Sequence, residues 1–235
     1  MTPVRNSYSR LVFQDEQTAA ASGSGCLSGF FLPPLGVLVA GCLLFFYVSG
    51  LGNPALPISS ETLPVAGSSG VIAPIFTPEV QHWGGQIAIW AAEAGVDPNL
   101  AATVMQIESC GDPLARSSAG AMGLFQVMSF HFHVFDNPYD PATNAARGLA
   151  YLRKALEGAG GQYRLAFAGY NGGIGVIGRN ESFWAGETRR YAYWGEGIYA
   201  DALKGLTVSP RLQEWLAAGG SHLCRQAHER LGLQP

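Results

Sequence analysis

The stretch Met105–Gln126, MQIESCGDPLARSSAGAMGLFQ, ends an apolar run on Glu108 and passes at once into a polar loop punctuated by glycine. Just upstream, Asp97 and Pro98 read as an N-cap and a first helical position, and Leu100, Val104 and Ile107 recur at helical spacing. The helix they predict ends near Glu108. Ala101 and Met105 form a second stripe beside the first, and Glu108 continues it, which turns its carboxyl toward the apolar face. Desolvation and the negative end of the helix dipole both disfavour the ionised form, so a raised pKa is expected. A carboxyl that keeps its proton near neutral pH is what a general acid needs. On position alone, a solvent-facing glutamate at a frayed helix end is the alternative.

The loop that follows has glycines that allow close backbone approach, and Ser117, Ser118 and Gln126 offer uncharged hydrogen-bonding groups. One protonated acid among neutral donors and acceptors suits a ligand rich in hydroxyls and amides, such as an N-acetylated sugar. Phe125, Tyr170, Tyr191 and Trp194 are candidate stacking faces for sugar rings, although burial statistics favour the core for each taken singly.

Working outward, Ile87, Trp90, Ala91 and Ala94 share a helical face that Gly95 ends. Asp140 and Pro141 repeat the cap-plus-proline start, with Ala145, Leu149, Leu152 and Leu156 as the buried stripe and Gly158 as the stop. QYRLAFAGYNGG reads as a short buried helix ended by Asn171 and two glycines. ETRRYAYWGEGIYADALKG is helical except that Gly195 and Gly197 interrupt it, and the tail from Ser209 and Pro210 to Leu231 holds one or two more helices. With no alternating strand in view, the fold class is mainly α, with the domain placed at residues 79–235.

Before it, residues 30–51 (FFLPPLGVLVAGCLLFFYVSGL) carry no charge and are long enough to span a bilayer as a single transmembrane helix. Arg5 and Arg10 precede this segment, and no Lys or Arg follows until Arg116, which places residues 1–29 in the cytoplasm as a tail expected to be disordered. VAGC at Val39–Cys42 offers a lipoprotein alternative at Cys42, but the apolar run continues beyond it. Residues 52–78, rich in Pro, Ser and Gly, read as a linker. The expected location is the cytoplasmic membrane, single-pass, with the catalytic domain on the extracytoplasmic side. There an oxidising environment makes Cys110 and Cys224 a candidate disulfide, two buried thiols being the alternative. Of the 235 residues 13% are charged and the formal net charge is -3, so nothing suggests a nucleic-acid partner.

The motifs taken together resemble the soluble lytic transglycosylase family, whose fold is lysozyme-like. The resemblance rests on Glu108-Ser109, on SSAGAMGLFQ from Ser117 to Gln126, on GYNGG from Gly169 and on ETRRY from Glu187 to Tyr191, in that order. It implies cleavage of the β-1,4 bond between N-acetylmuramic acid and N-acetylglucosamine of peptidoglycan glycan strands, with a 1,6-anhydromuramoyl product and no cofactor or metal. By position it makes Glu108 the single catalytic acid/base and Ser117, Gln126, Tyr170, Asn171 and Tyr191 substrate-binding residues. Phe125 stands where methionine is commoner, a change that would reshape a sugar subsite. Two rivals remain: a hydrolytic muramidase like the goose-type lysozymes, with Asp112, Asp136 or Asp140 as base, and a catalytically inactive glycan-binding module. A zinc site on His131 and His133 lacks an obvious third ligand; His82, His222 and His228 read as surface residues. Secretion, conjugation or divisome machinery are the partner classes that a wall-cutting domain tethered at the membrane admits.

Overall fold

The structure, a computed structural model, describes residues 72–234. The stretches expected to form a cytoplasmic tail (1–29), a membrane helix (30–51) and most of a linker (52–71) lie outside the described residues. Among the described residues no helix is long and apolar enough to cross a membrane.

Eight α-helices make up this part: α1 (Pro78–Gln81), α2 (Gly84–Ala94), α3 (Pro98–Glu108), α4 (Pro141–Gly158), α5 (Tyr163–Gly172), α6 (Gly186–Leu203), α7 (Pro210–Trp215) and α8 (Ser221–Leu231). Pairing of extended backbone among these residues is confined to isolated bridges, Arg116 with Met122 and Met122 with Val127. The helix limits follow from local chemistry. Asp97 accepts from the amides of Asn99 and Leu100 at 2.8 and 3.2 Å, and Asp140 accepts from that of Thr143 at 2.8 Å, each ahead of a proline at the first helical position. Gly95 ends α2 in the left-handed conformation, at φ 66°.

The folded domain begins earlier than residue 79. Ile72, Ile75 and Phe76 are buried in the main core, the Ala73 amide donates to Asn99 Oδ1 at 2.6 Å, and the Thr77 amide donates to Gln106 Oε1 at 3.1 Å. Residues 72–78 therefore belong to the core rather than to the linker; their Pro and Thr content masked three apolar anchors.

The core lies between α3, α5 and α6, with α4 against α5 and α2 against both α3 and α4. Helix α6 runs unbroken through Gly195 and Gly197, where the sequence suggests interruptions. Both glycines serve close packing instead: a Cβ on Gly195 would lie 2.6 Å from Cδ1 of the fully buried Phe167 ring on α5. Gly195→Ala should thus cost about 1–2 kcal/mol, overpacking outweighing the gain in helix propensity, and the urea midpoint reads this directly. At Gly197 the neighbour is the partly exposed side chain of Arg211, stacked on Tyr193, rather than a fully buried ring, so Gly197→Ala should shift the midpoint less.

Candidate active site

Helix α3 delivers Glu108 on its last residue, and the backbone then turns sharply, with Cys110 at φ 51° and Gly111 at φ 85°. Gly111 is required there: a Cβ would come 2.7 Å from the Glu79 carbonyl oxygen, and the conformation is left-handed. Ser109 fastens the turn from inside. Its hydroxyl donates to the Leu124 carbonyl at 2.7 Å and accepts from the Gly111 amide at 3.1 Å.

The loop 115–127 folds back on itself. The Ser117 hydroxyl accepts from the Ala121 amide at 2.9 Å, and the Gln126 side-chain amide donates to the carbonyls of Ala115 and Gly123 at 3.2 and 3.0 Å. Asn144 on α4 wires the loop to the helical frame, taking the Phe125 amide at 2.8 Å and donating to the carbonyls of Met122 and Pro138. Nothing in the sequence pattern marks Asn144; its position on the buried face of a regular helix conceals it.

The result is a cavity of about 240 Å³ whose lining includes Glu108, Ser117, Gln126, Asn171 and Tyr191. The contacts just described use the Ser117 oxygen as an acceptor and the Gln126 NH₂ as a donor, and so do not engage the Ser117 O–H or Gln126 Oε1. Asn171 accepts from the Thr188 hydroxyl at 2.9 Å through Oδ1, which leaves its NH₂ to donate. Tyr170 is not part of that lining; it is buried, donates to the Phe125 carbonyl at 2.7 Å and stacks on Tyr191. Phe125 is fully buried. That corrects its reading as part of a sugar subsite, because a side chain enclosed by the core presents no face to a ligand. Trp194, the remaining aromatic candidate, is nearly buried yet borders the cavity.

Glu108 is partly open to the cavity but has protein on all sides. Its pKa is raised from 4.5 to about 8: desolvation is the main cause, the Tyr191 hydroxyl opposes it, and charge repulsion from Glu187 adds to it. The Tyr191 hydroxyl takes no partner at close hydrogen-bond geometry among the described residues, so it faces Glu108 without clamping it. Burial and the neighbouring Glu108 carboxyl push the phenols of Tyr170 and Tyr191 well above their usual range. Glu187 also lines the cavity, a second carboxylate that sequence reasoning quoted within ETRRY without giving it a role.

The other carboxylates sort by position. Asp112 lines the cavity, is 2% exposed and bridges to Arg230 at 3.3 Å; burial raises its pKa against the pull of the Leu114 amide and Arg230. Asp136 lies outside the lining and binds Arg147 at 2.7 Å, and Asp140 is a helix cap.

One wall was not legible in the sequence. Trp215, His222, Gln226 and Arg230 from α7 and α8 complete the lining, about 100 residues downstream of Glu108. Cys110 and Cys224 are joined in a disulfide, with a Cα separation of 4.9 Å, and the bond ties α8 to the turn after α3. His228 reinforces it, Nδ1 lying 2.9 Å from the buried Glu79 carboxylate. His228 is thus not an ordinary surface residue, whereas His222 is exposed, as expected, at the border of the cavity. Among the described residues the one cluster with metal-ligand spacing is Glu79, Cys110 and Cys224, in which the disulfide consumes both thiols; His131 and His133 are not part of it, and the His131 ring packs against Tyr151.

This arrangement can do acid/base chemistry on a neutral polar ligand. Residues 86–190 match the family described as Transglycosylase SLT domain. A relative described as a transglycosylase, from Enterobacteria phage PRD1, is 36% identical over 112 residues, which are 47% of this chain and 40% of the relative. The chain therefore spans well under two thirds of that relative's length. A solved structure of an inactive mutant of the lytic transglycosylase Slt from Pseudomonas aeruginosa aligns at 24% identity and a TM-score of 0.43, covering 53% of this chain and 24% of that one. Helices α7 and α8 lie beyond the matched stretch.

Proposed function

We propose that the chain is a peptidoglycan lytic transglycosylase, cleaving the β-1,4 bond between N-acetylmuramic acid and N-acetylglucosamine and releasing a 1,6-anhydromuramoyl end. The observation that carries this reading is a carboxyl on Glu108 that holds its proton up to about pH 8 beside the uncharged groups of Ser117, Gln126 and Asn171. Glu108 donates its proton to the glycosidic oxygen as the C1–O4 bond breaks. The substrate's own N-acetyl carbonyl stabilises the cation at C1. Glu108, now a carboxylate, takes the proton of the C6 hydroxyl as O6 bonds to C1, so no water is consumed and the acid is regenerated. The phage relative's description as a transglycosylase agrees with this assignment.

Glu187 favours one second reading. A carboxylate lining the same cavity could activate water, which would make the protein a hydrolytic muramidase with two working carboxyls. In the transglycosylase reading Glu187 instead keeps Glu108 protonated by repulsion. An inactive glycan-binding module has no use for a buried, protonated acid that costs the fold stability.

The reading gives a definite pH dependence. Glu108 must be protonated to start the reaction, so solubilisation of purified peptidoglycan should hold through neutral pH and fall as pH rises through about 8. A rate that falls instead with a midpoint near 4–5 would place an ordinary carboxyl in the role. We further propose that residues 30–51 hold the domain on the outer face of the cytoplasmic membrane, confining cleavage to wall near it and within reach of secretion, conjugation or divisome machinery.

A further inference from the structure

The segment between the loop and α4 contains a tight turn that the site does not use. The Asp136 amide donates to the His133 carbonyl at 3.0 Å, and the His133 amide donates to Asp136 Oδ2 at 2.9 Å. Val134 and Phe135 occupy the two central positions and are 92% and 99% exposed. Arg147 on α4 grips the same Asp136 carboxylate at 2.7 Å, so the turn is anchored to the helical frame. Phe130, four residues before, is 55% exposed. A fully solvated Phe beside a fully solvated Val, on a turn fastened by three polar contacts, is an apolar tip presented by design of the backbone and not a frayed loop.

We infer that the Val134–Phe135 turn is a lipid-contact element that enters the interfacial layer of the bilayer to which the chain is tethered. The inference rests on the membrane anchoring proposed above and not on the chemistry of the cavity. Residues 52–71 are twenty in number and reach about 65 Å when extended, against roughly 40 Å for the diameter of a domain of this size, so every face of the domain can meet the membrane. The tip is electrically neutral, because the charge of Asp136 is answered by Arg147. Entering the interface therefore desolvates no unpaired ion.

The size of the tip selects the partner. A stable protein interface needs about 800 Å² from each side, far more than two side chains supply. A glycan needs hydrogen-bonding groups, and Val134 and Phe135 offer none. Two apolar side chains partition weakly by themselves, but a tether makes the encounter intramolecular and raises the effective concentration of bilayer, so a small tip suffices.

The test is Phe135→p-benzoylphenylalanine in the full chain, reconstituted in phosphatidylethanolamine–phosphatidylglycerol vesicles, irradiated and analysed by mass spectrometry. Val208, 62% exposed, carries the same photoprobe as the control. Lipid adducts at position 135 should exceed those at 208 by about tenfold, since only a probe seated in the interface meets acyl chains continuously. A chain that floats with the vesicles yet gives equal adducts at both positions overturns the inference, as do crosslinks from 135 to a second copy of the chain in place of lipid. A chain that fails to float overturns the anchoring itself, and this inference with it, so the two failures read differently.

Discussion

Glu108→Gln should lower the rate of peptidoglycan cleavage by about 10²–10⁴-fold, the usual worth of a positioned general acid, while making the protein harder to unfold. The second half follows from burial. Below pH 4.5 the carboxyl is protonated in both the folded and the unfolded chain, and Glu108 has no pH-linked effect. Between 4.5 and about 8 the unfolded chain ionises while the folded one keeps its proton, so stability is lost progressively across that window. Above it the penalty is complete. A shift of this size corresponds to roughly 5 kcal/mol, which glutamine, neutral at every pH, does not incur. Thermal unfolding of wild type and variant should coincide near pH 4, and at pH 8.5 the variant should melt several degrees higher. Equal melting at both pH values would mean that Glu108 is solvated, and the acid role would go with it.

The second large effect concerns the disulfide. Cys110 and Cys224 are 114 residues apart, and closing so long a loop in the unfolded chain is worth about 4–5 kcal/mol in the chain-entropy model. Cys110→Ser with Cys224→Ser should lower stability by an amount of that order, read by denaturant titration of the oxidised wild type against the variant. The bond also holds α8, which brings His222, Gln226 and Arg230 to the cavity. Turnover should therefore fall with the bond, beyond what the unfolded fraction explains. The Glu79–His228 and Asp112–Arg230 pairs remain as weaker fasteners, so the variant should still fold. A stability change under about 1 kcal/mol would show that these pairs and the surrounding core suffice without the bond.

What could be read in advance was what short-range chemistry controls. Asp97-Pro98 and Asp140-Pro141 set helix starts, Gly95 set a helix end, and the placement of Glu108 at an apolar helix terminus carried the direction of its pKa. The misreadings have a common origin in long-range packing. Gly195 looks like a breaker until Phe167 is seen against it, and Ile72, Ile75 and Phe76 look like linker until the core that receives them is known. Phe125 sits in a loop rich in polar residues yet points wholly inward, because Asn144 and Tyr170 draw its backbone amide and carbonyl into the helical frame. Glu187, Trp215 and Arg230 reach the cavity from helices whose sequences give no sign of it. Of the residues expected to bind substrate, Ser117, Gln126, Asn171 and Tyr191 border the cavity with Glu108, while Tyr170 stands behind them as a support.

The most direct test of the proposed chemistry is the chemical nature of the new glycan ends. The full chain in detergent is incubated with purified peptidoglycan, and the released muropeptides are weighed by mass spectrometry. Ends lighter by one water than reducing muramoyl ends, and resistant to borohydride, are the predicted 1,6-anhydro products of a single acid/base at Glu108. Reducing muramoyl ends would contradict that account and make Glu187 the base of a hydrolase.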